Sequence, residues 1–417
     1  MLDKQAKMIY NLTDNNFYRR TFFMKLFKRI AAAGLSAVLA LTVAGCHSAD
    51  AVVATYDDIK ITSGVYLAMI LEADGEARTE IDNQREDLTA AIEDYSKETV
   101  STEDGDVKFY DYIKDGAKER IYQYIGTEVL AKKYEVKLSD EDVSGLDTYV
   151  NYYWNNYGYG MLYEPNGVGF DSYKDYIRNA GHLRGKVFTA IYGEDGANPV
   201  AEADIKKYMD ENYCIANVIT ENFTSTDAEG ATTTLTDDQK KEKLDALKAL
   251  AERINNGEDF ETVYHEYSGT KHEGADEETD EAATEETASE TATEETASET
   301  STEAAEEEKE LEPLDSHATL LSSAETGSES ENFAEILKMA VGEVKVFENE
   351  SNYTLVVKGD IDADPYYIDS LDETIRHALK GDEFNKLLVD EAKKLDIKFN
   401  EGELRYLSPK KVTYDVY

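Results

Sequence analysis

The amino-acid sequence predicts an α+β protein in which a small unit of strands and helices interrupts a helical domain. Apolar residues recur at helical spacing from Ile113 to Leu130, and the stretch from Leu371 to Leu395 is also helical in character. Between them, Tyr213–Phe223 is rich in β-branched residues, and Val344–Phe347 and Tyr353–Val357 form two further short apolar runs. This order of helices, then mixed strands and helices, then helices favours an α+β unit inserted in a helical domain.

Two helix starts are marked by their local sequence. Ser139 is followed three residues later by Asp142, and Thr236 is followed by Gln239. A capping box forms when the hydroxyl accepts a backbone hydrogen bond from the third residue, whose own side chain reaches back. We therefore expect helices to begin at both positions, and Gly257 to end the second helix.

The N-terminal region has the features of an export signal. A basic cluster at residues 25–29 precedes an apolar stretch from Ile30 to Ala44, which is shorter than the roughly 20 residues that span a bilayer. A basic head, a short apolar core and small residues at the end are typical of a secretory signal peptide. Val43-Ala44-Gly45-Cys46 resembles the bacterial lipobox, so we predict a lipoprotein signal at 24–45 and a lipid on Cys46. A plain signal peptide or an uncleaved anchor is the alternative.

Residues 1–23 precede this signal and would lengthen its positive head, so we expect Met24 to be the true start of the chain. A long natural leader is the other explanation. The acyl chains on Cys46 would anchor the mature protein stably. The predicted location is therefore the extracytoplasmic face of the cell membrane.

Composition excludes several functions. The net charge of −45 excludes nucleic acid as a partner, because such binding depends on basic residues. Cys46 and Cys214 are the only cysteines, so lipidation of the first leaves no internal disulfide, and we expect Cys214 to be a buried structural residue. His265 and His272 lack the second ligand pair of a metal site. We therefore predict neither a metal nor a cofactor.

A long acidic segment interrupts the second half of the chain. Residues 273–312 contain 18 Asp or Glu and one Lys, and the octamer TEETASET occurs at 284–291 and again at 293–300. Such a segment buries too little apolar area to offset the entropy of ordering the chain. We therefore predict a disordered acidic insert at 270–325.

Four motifs resemble those of the SurA- and PrsA-type foldases. They are Thr55–Gly64, at the opening of that family's first domain; Ile121–Val143, which ends in YEVKLSDEDV; Ile254–Ser268, which is similar to the parvulin motif; and Val341–Val344, before the last strands. The resemblance implies a helical chaperone domain built from both ends of the chain, with a parvulin-like prolyl isomerase domain between them. The implied boundaries are 46–210 for the helical domain, 211–360 for the parvulin-like domain and 361–417 for the C-terminal helical segment.

The parvulin-like region departs from the family at its catalytic positions. Asn217 and Thr354 stand where active parvulins have two histidines that face each other in the sheet. With Phe333 and Tyr353 they are predicted to form a degenerate parvulin face. The family's acidic strand has no recognisable counterpart, and Asp315 does not align with it. The resemblance therefore implies weak or lost isomerase activity, with an active prolyl isomerase as the alternative.

A tyrosine-rich stretch provides candidate client-binding residues. Tyr152, Tyr153, Trp154 and Tyr157 could form an aromatic surface that holds extended segments, or they could pack internally between helices. The leading function is a membrane-anchored foldase or chaperone for newly exported, unfolded proteins. A homodimer is possible, and a non-catalytic binding lipoprotein is the second alternative.

Overall fold

The structure, a computed structural model, describes residues 49–85, 92, 94–226, 232–269, 313–315, 317–323 and 332–413. The predicted lipidation residue Cys46, the two N-terminal segments and most of the acidic insert lie outside these residues. Within the described chain, none of the helices is both long and apolar enough to cross a membrane. The described elements combine helices with antiparallel strands, which confirms the predicted α+β class.

The described α-helices and strands, with one π-helix, follow one another along the chain. In order they are β1 (Val52–Tyr56), β2 (Ile59–Thr62), α1 (Ser63–Asn83), β3 (Thr99–Thr102), β4 (Gly105–Lys108), α2 (Phe109–Lys133), α3 (Asp140–Asn156), α4 (Tyr159–Tyr163), α5 (Phe170–Ile177), the π-helix (Arg178–Leu183), α6 (Arg184–Tyr192), α7 (Glu202–Asn212), β5 (Tyr213–Asn222), β6 (Thr224–Thr226), β7 (Thr232–Thr234), α8 (Asp237–Asn255), α9 (Phe260–Ser268), β8 (Ala318–Ser322), α10 (Phe333–Ile336), β9 (Val344–Glu348), β10 (Asn352–Lys358), α11 (Pro365–Lys393), β11 (Lys398–Phe399) and α12 (Glu401–Tyr406).

The chain divides into two compact units. Of the described residues, those up to Ile205 and those from Glu373 onward form the terminal unit, and those of Lys206–Asp372 form the central unit. The two boundaries fall within α7 and α11. The first and last parts of the chain therefore fold together, and the sequence between them forms the second unit.

The C-terminal segment completes a sheet of the terminal unit. Strand β1 pairs antiparallel with β2 on one side and with β11 on the other, so that Ala54 lies opposite both Ile61 and Phe399. The Asn400 backbone N–H donates to the Val53 carbonyl at 2.8 Å. Strand β11 follows its partner β1 by more than 300 residues in the sequence. The three-stranded sheet of this unit therefore needs strands from both the N-terminal and the C-terminal part of the chain.

The central unit is built on a four-stranded antiparallel sheet in the order β8-β5-β10-β9. Helices α8 and α9 cover one face, where Ile219 and Leu355 are buried, and we call this the α9 face. Helix α10 and the residues after it cover the opposite face, where Ala216 and Val356 are buried, and we call this the α10 face. Successive strand residues alternate between the two faces, so the register decides which side chains can meet.

Both predicted helix starts are confirmed. The Ser139 hydroxyl accepts from the Asp142 backbone N–H at 3.1 Å, and the Thr236 hydroxyl accepts from that of Gln239 at 3.4 Å. In each case the side chain of the third residue bonds back to the backbone of the cap, which completes the capping box. Helix α8 ends at Asn255, and Gly257 has a left-handed φ of 94°.

One part of the predicted disordered insert is wrong. Strand β8 lies within the range 270–325 and pairs with β5, with Ala318 opposite Asn217 and Ser322 opposite Tyr213. Leu321 is buried on the α10 face. Its apolar side chain and those of its neighbours give this short stretch a place in the core.

Candidate functional site

The register of the sheet separates the predicted parvulin-like face into two parts. Asn217 on β5 lies opposite Val357 on β10, whereas Thr354 lies opposite Thr220. The offset of three residues is odd, and strand side chains alternate, so Asn217 and Thr354 point to opposite faces. The prediction that they form one face is therefore wrong.

Thr354 and Phe333 lie on the α10 face. Thr354 is 1% exposed and pairs with Phe347 on β9. Phe333, Ile336, Met339 and Phe347 belong to one buried cluster on this face, and Phe333 and Met339 are only 7% and 9% exposed. Met339 and Phe333 thus belong to the same buried cluster. The apolar residues that could form a proline pocket are packed against the sheet.

A chain of neutral hydrogen bonds crosses the same face. The Thr354 hydroxyl donates to Asn352 Oδ1 at 3.1 Å, and Asn349 Nδ2 donates to the same oxygen at 2.8 Å. Asn332 Nδ2 donates in turn to Asn349 Oδ1 at 3.0 Å. Thr220 Oγ1, opposite Thr354, is buried and has no hydrogen-bond partner among the described residues. None of these groups titrates near neutral pH.

Asn217 lies on the α9 face in a different polar cluster. Its Nδ2 donates to Asp315 Oδ2 at 2.7 Å, and Asp315 Oδ1 accepts from the His317 backbone N–H at 2.9 Å. The His317 ring lies 4.9 Å from Tyr264 and 5.3 Å from His265, measured between ring centroids. Alignment with the family's motifs does not identify Asp315, because the residue is brought to Asn217 by the pairing of β8 with β5.

Neither cluster indicates a metal centre. Among the described residues, no group of three or more His, Cys, Asp or Glu side chains is arranged to hold a metal ion. Tyr353 also lies on the α9 face, where its ring meets that of Phe223 at 4.7 Å. The four predicted site residues thus divide evenly, with Asn217 and Tyr353 on one face and Phe333 and Thr354 on the other.

Cys214 is a buried thiol of the α10 face. It is 1% exposed, and burial raises its pKa, although the neighbouring Lys358 opposes that shift. A thiol in such a place is mostly protonated and inaccessible, so it is a poor nucleophile. The residue contributes to packing, as its sequence surroundings predict.

The predicted client-binding tyrosines form an aromatic surface on the terminal unit. Tyr152 and Tyr157 are 49% and 41% exposed, and their ring centroids are 5.3 Å apart. Tyr153 stacks on Tyr157 at 4.9 Å and meets Tyr152 edge-on at 5.7 Å. We call these three residues the tyrosine surface. They stand at the C-terminal end of α3 and in the turn that follows it.

Trp154 is not part of this surface, and it packs internally, which is the alternative that the sequence left open. The side chain is 9% exposed, and its indole packs within 6.4 Å of Tyr163, 5.5 Å of Phe170 and 5.4 Å of Tyr173, between ring centroids. A Cβ atom at Gly160 would lie 2.9 Å from the indole nitrogen, so only glycine leaves room for the ring. Trp154 therefore fixes α3 to α4 and α5.

The fold and the site together define an α+β chain whose helical unit comes from both ends of the sequence, with a small antiparallel-sheet unit in between. No protein-family model matches the sequence, and no curated protein matches it.

Solved structures of PrsA proteins are similar to this chain. The foldase protein PrsA from Streptococcus pneumoniae str. Canada MDR_19A shares 16% identity over 75% of this chain and 99% of its own, with a TM-score of 0.35. PrsA from Bacillus subtilis shares 16% identity over 77% and 94%, with a TM-score of 0.23. The peptidylprolyl isomerase PrsA from Bacillus cereus shares 18% identity over 76% and 100%, with a TM-score of 0.22. PrsA structures are thus among those similar to this chain, as the sequence motifs predict.

Proposed function

We propose that the protein is a foldase of the chaperone type, which holds unfolded segments of exported proteins and has weak or no prolyl isomerase activity. The motif Val43–Cys46 supports a lipid tether at the extracytoplasmic face of a membrane as part of this proposal. The foldase motifs in the sequence support the proposed class of activity. The tyrosine surface is the proposed binding site for unfolded segments.

The tyrosine surface is the observation that carries the proposal. Tyrosine offers a large apolar area with a polar tip at a small cost in conformational entropy, which suits the binding of many different sequences. The stretch 149–170 also contains four asparagines and four glycines, a composition that binding surfaces use for adaptable hydrogen bonds. Asn151 and Asn155 lie on the exposed side of α3 near Tyr152.

We expect the double substitution Tyr152→Ser and Tyr157→Ser to weaken chaperone activity. The wild-type protein should suppress aggregation of a chemically denatured client at equimolar concentration, and the variant should lose roughly half of that suppression or more, because two central aromatic contacts are removed. Light scattering after dilution of the client from denaturant measures both.

The matched control is Leu314→Ser with Ile368→Ser, which removes two exposed apolar side chains elsewhere, 74% and 44% exposed. This control should suppress aggregation as the wild type does. Equal loss in both double variants would show that suppression depends on general surface hydrophobicity and would refute a role for the tyrosine surface. No suppression by the wild type would refute the proposed function itself.

The α10 face accounts for the proposed weakness of isomerase activity. Rotation about a prolyl bond crosses a barrier near 20 kcal/mol, and catalysis needs an open apolar pocket beside polar groups that favour the twisted amide. Here Phe333 and Met339 are packed against the sheet, and Thr354 is bonded to Asn352.

We therefore expect the wild-type protein to leave the isomerisation rate of a proline-containing peptide at the uncatalysed value, measured by a protease-coupled or NMR exchange assay. Asn217→Ala should not change that rate, because Asn217 lies on the other face. A clear acceleration by the wild type that is lost in Thr354→Val would instead favour the active prolyl isomerase.

A further inference from the structure

The two edge strands of the central sheet differ in how their outward backbone groups are satisfied. In an antiparallel sheet, alternate residues of an edge strand point both N–H and C=O away from the neighbouring strand. Such groups are a template for an added strand unless the protein covers or blocks them. The register of β8 and β9 identifies these groups at each edge.

At the β8 edge, both outward backbone groups of Ala318 are occupied. The Ser323 N–H donates to the Asn212 carbonyl at 3.1 Å, which fixes Ala318, Leu320 and Ser322 as the outward residues. The Ala318 N–H donates to the Asp315 carbonyl at 3.2 Å, and the Ala318 carbonyl accepts from the Tyr367 hydroxyl at 2.9 Å. Ser322 is only 9% exposed. The Ala318 end of this edge is therefore unavailable to an extended segment.

At the β9 edge, the outward groups are open. The Asn349 N–H donates to the Asn352 carbonyl at 2.9 Å, and the Lys358 N–H donates to the Glu343 carbonyl at 3.1 Å. With the β9–β10 register, these bonds place the backbone groups of Val344, Val346 and Glu348 on the outer side. None of the three residues has a hydrogen-bond partner for those groups within the part of the chain that the structure describes, and all three are half-buried or exposed.

The charged side chains of β9 are held away from this edge. Lys345 pairs with Glu335 and lies 4.7 Å from the centroid of the Phe347 ring, on the α10 face. Glu348 pairs with Lys248 of α8 at 3.1 Å, on the α9 face. Edge lysines commonly prevent strand addition, but ion pairs hold these charges on the two faces of the sheet.

The surroundings of the edge favour a basic partner. Four glutamates at 335, 343, 348 and 350 stand against three lysines, Lys345, Lys248 and Lys338, so the local charge is −1, and the whole chain carries −45. Val341, 61% exposed, precedes β9 and offers an apolar contact at its N-terminal end. An extended segment with apolar residues at its centre and lysine or arginine at its ends would complement both features.

We propose that β9 is a docking edge at which an extended, basic-flanked apolar segment of an unfolded protein adds as a fifth strand. This inference rests on the proposed function, because it names the conformation and chemistry of the client segment. Main-chain hydrogen bonds to Val344, Val346 and Glu348 would provide affinity with little dependence on sequence, as in other cases of strand addition.

The first test uses the wild-type protein and three fluorescein-labelled peptides with the same alternating valine–threonine core. One is flanked by lysines, the second by glutamates, and the third is the lysine-flanked peptide methylated at every central backbone nitrogen. Fluorescence anisotropy should show binding of the first, at least about tenfold weaker binding of the second and no binding of the third, because methylation removes the donors of strand pairing. Equal binding of the methylated peptide would overturn the proposal.

The second test compares Val346→Pro with Val346→Ile. Proline removes an outward N–H and is tolerated at edge strands, whereas isoleucine keeps both the backbone group and the β-branched side chain. We expect Val346→Pro to weaken binding of the lysine-flanked peptide about tenfold or more, and Val346→Ile to leave it unchanged. If Val346→Pro fails to fold by circular dichroism, the methylated peptide still decides the question.

These tests separate failure of the docking edge from failure of the proposed function. If the wild-type protein suppresses client aggregation but binds methylated and unmethylated peptides equally, the proposed function stands and the docking edge is refuted. If the wild-type protein neither suppresses aggregation nor binds the lysine-flanked peptide, both the proposed function and the docking edge are refuted.

Discussion

Replacing Gly126 by alanine is expected to destabilise the terminal unit by about 3 kcal/mol, at the upper end of the usual cost of overpacking. Gly126 lies in α2, where a Cβ atom would overlap the carbonyl oxygen of Leu388 in α11 and come within 2.8 Å of its carbonyl carbon. Both atoms belong to the backbone of a helix, so no side chain can move aside. The helices would have to separate, which exceeds the roughly 1 kcal/mol that alanine gains over glycine in a helix.

Gly116→Ala is the matched control, because it lies in the same helix. Its Cβ atom would lie 3.3 Å from Arg120 Nη1 and 3.4 Å from Ala73 Cβ, and the arginine can shift. We expect this variant to be as stable as the wild type or slightly more stable. Urea unfolding followed by the fluorescence of Trp154, the only tryptophan and a buried residue of this unit, measures both. Equal midpoints for the two variants would show that α2 and α11 are not closely packed at Gly126.

The sequence alone predicts the helix caps and the types of the helices and strands. The caps at Ser139 and Thr236 depend on hydrogen bonds between residues three apart, so the pattern of side chains alone specifies them. The helix and strand types along the chain follow from periodicity for the same reason. Each of these features is decided within a few residues of the chain.

The sequence does not predict which site residues share a face of the sheet, because that depends on the pairing register of the strands. A shift by one residue moves every side chain of a strand to the other face, and motif spacing contains no information about that shift. Asn217 and Thr354 were therefore assigned to one face when the β5–β10 pairing places them on two. Asp315 does not stand out in the sequence for a related reason. It meets Asn217 only because β8, more than 90 residues later in the sequence, pairs with β5.

The sequence also does not show which of two neighbouring aromatic residues is buried and which is exposed. Tyr152 and Trp154 are two positions apart in one helix and therefore point to different sides of it. The choice of which side is buried depends on Gly160, Phe170 and Tyr173, whose positions are set by turns that the pattern does not specify. Composition could identify an aromatic region but not its exposed part.

The second large effect is a loss of stability in acid that depends on His377. Its imidazole stacks on Phe188, with ring centroids 3.6 Å apart and planes inclined by 13°, and its side chain is 21% exposed. Burial lowers the pKa of His377 from its ordinary value of 6.5 to about 4, and the charge of Arg184 adds to that effect. The Glu373 carboxylate lies 3.9 Å from Nε2.

The direction of the effect follows from linkage. A histidine whose folded pKa lies below its unfolded pKa stabilises the folded state fully above the unfolded value, here 6.5. That contribution is lost as the pH falls from 6.5 toward 4, because the unfolded chain takes up a proton that the folded chain resists. A shift of this size corresponds to about 3 kcal/mol at 1.36 kcal/mol for each pKa unit.

We expect His377→Phe to remove this dependence while keeping an aromatic ring on Phe188. Urea unfolding monitored at Trp154 should give the two proteins similar stability at neutral pH, and the variant should gain about 3 kcal/mol over the wild type by pH 4. The difference between the two profiles isolates His377. His182, whose pKa burial also lowers, is present in both proteins and cancels. Parallel profiles from neutral pH to pH 4 would show that His377 is protonated as readily in the folded chain as in the unfolded one, and that its stacking on Phe188 is not a buried, neutral contact.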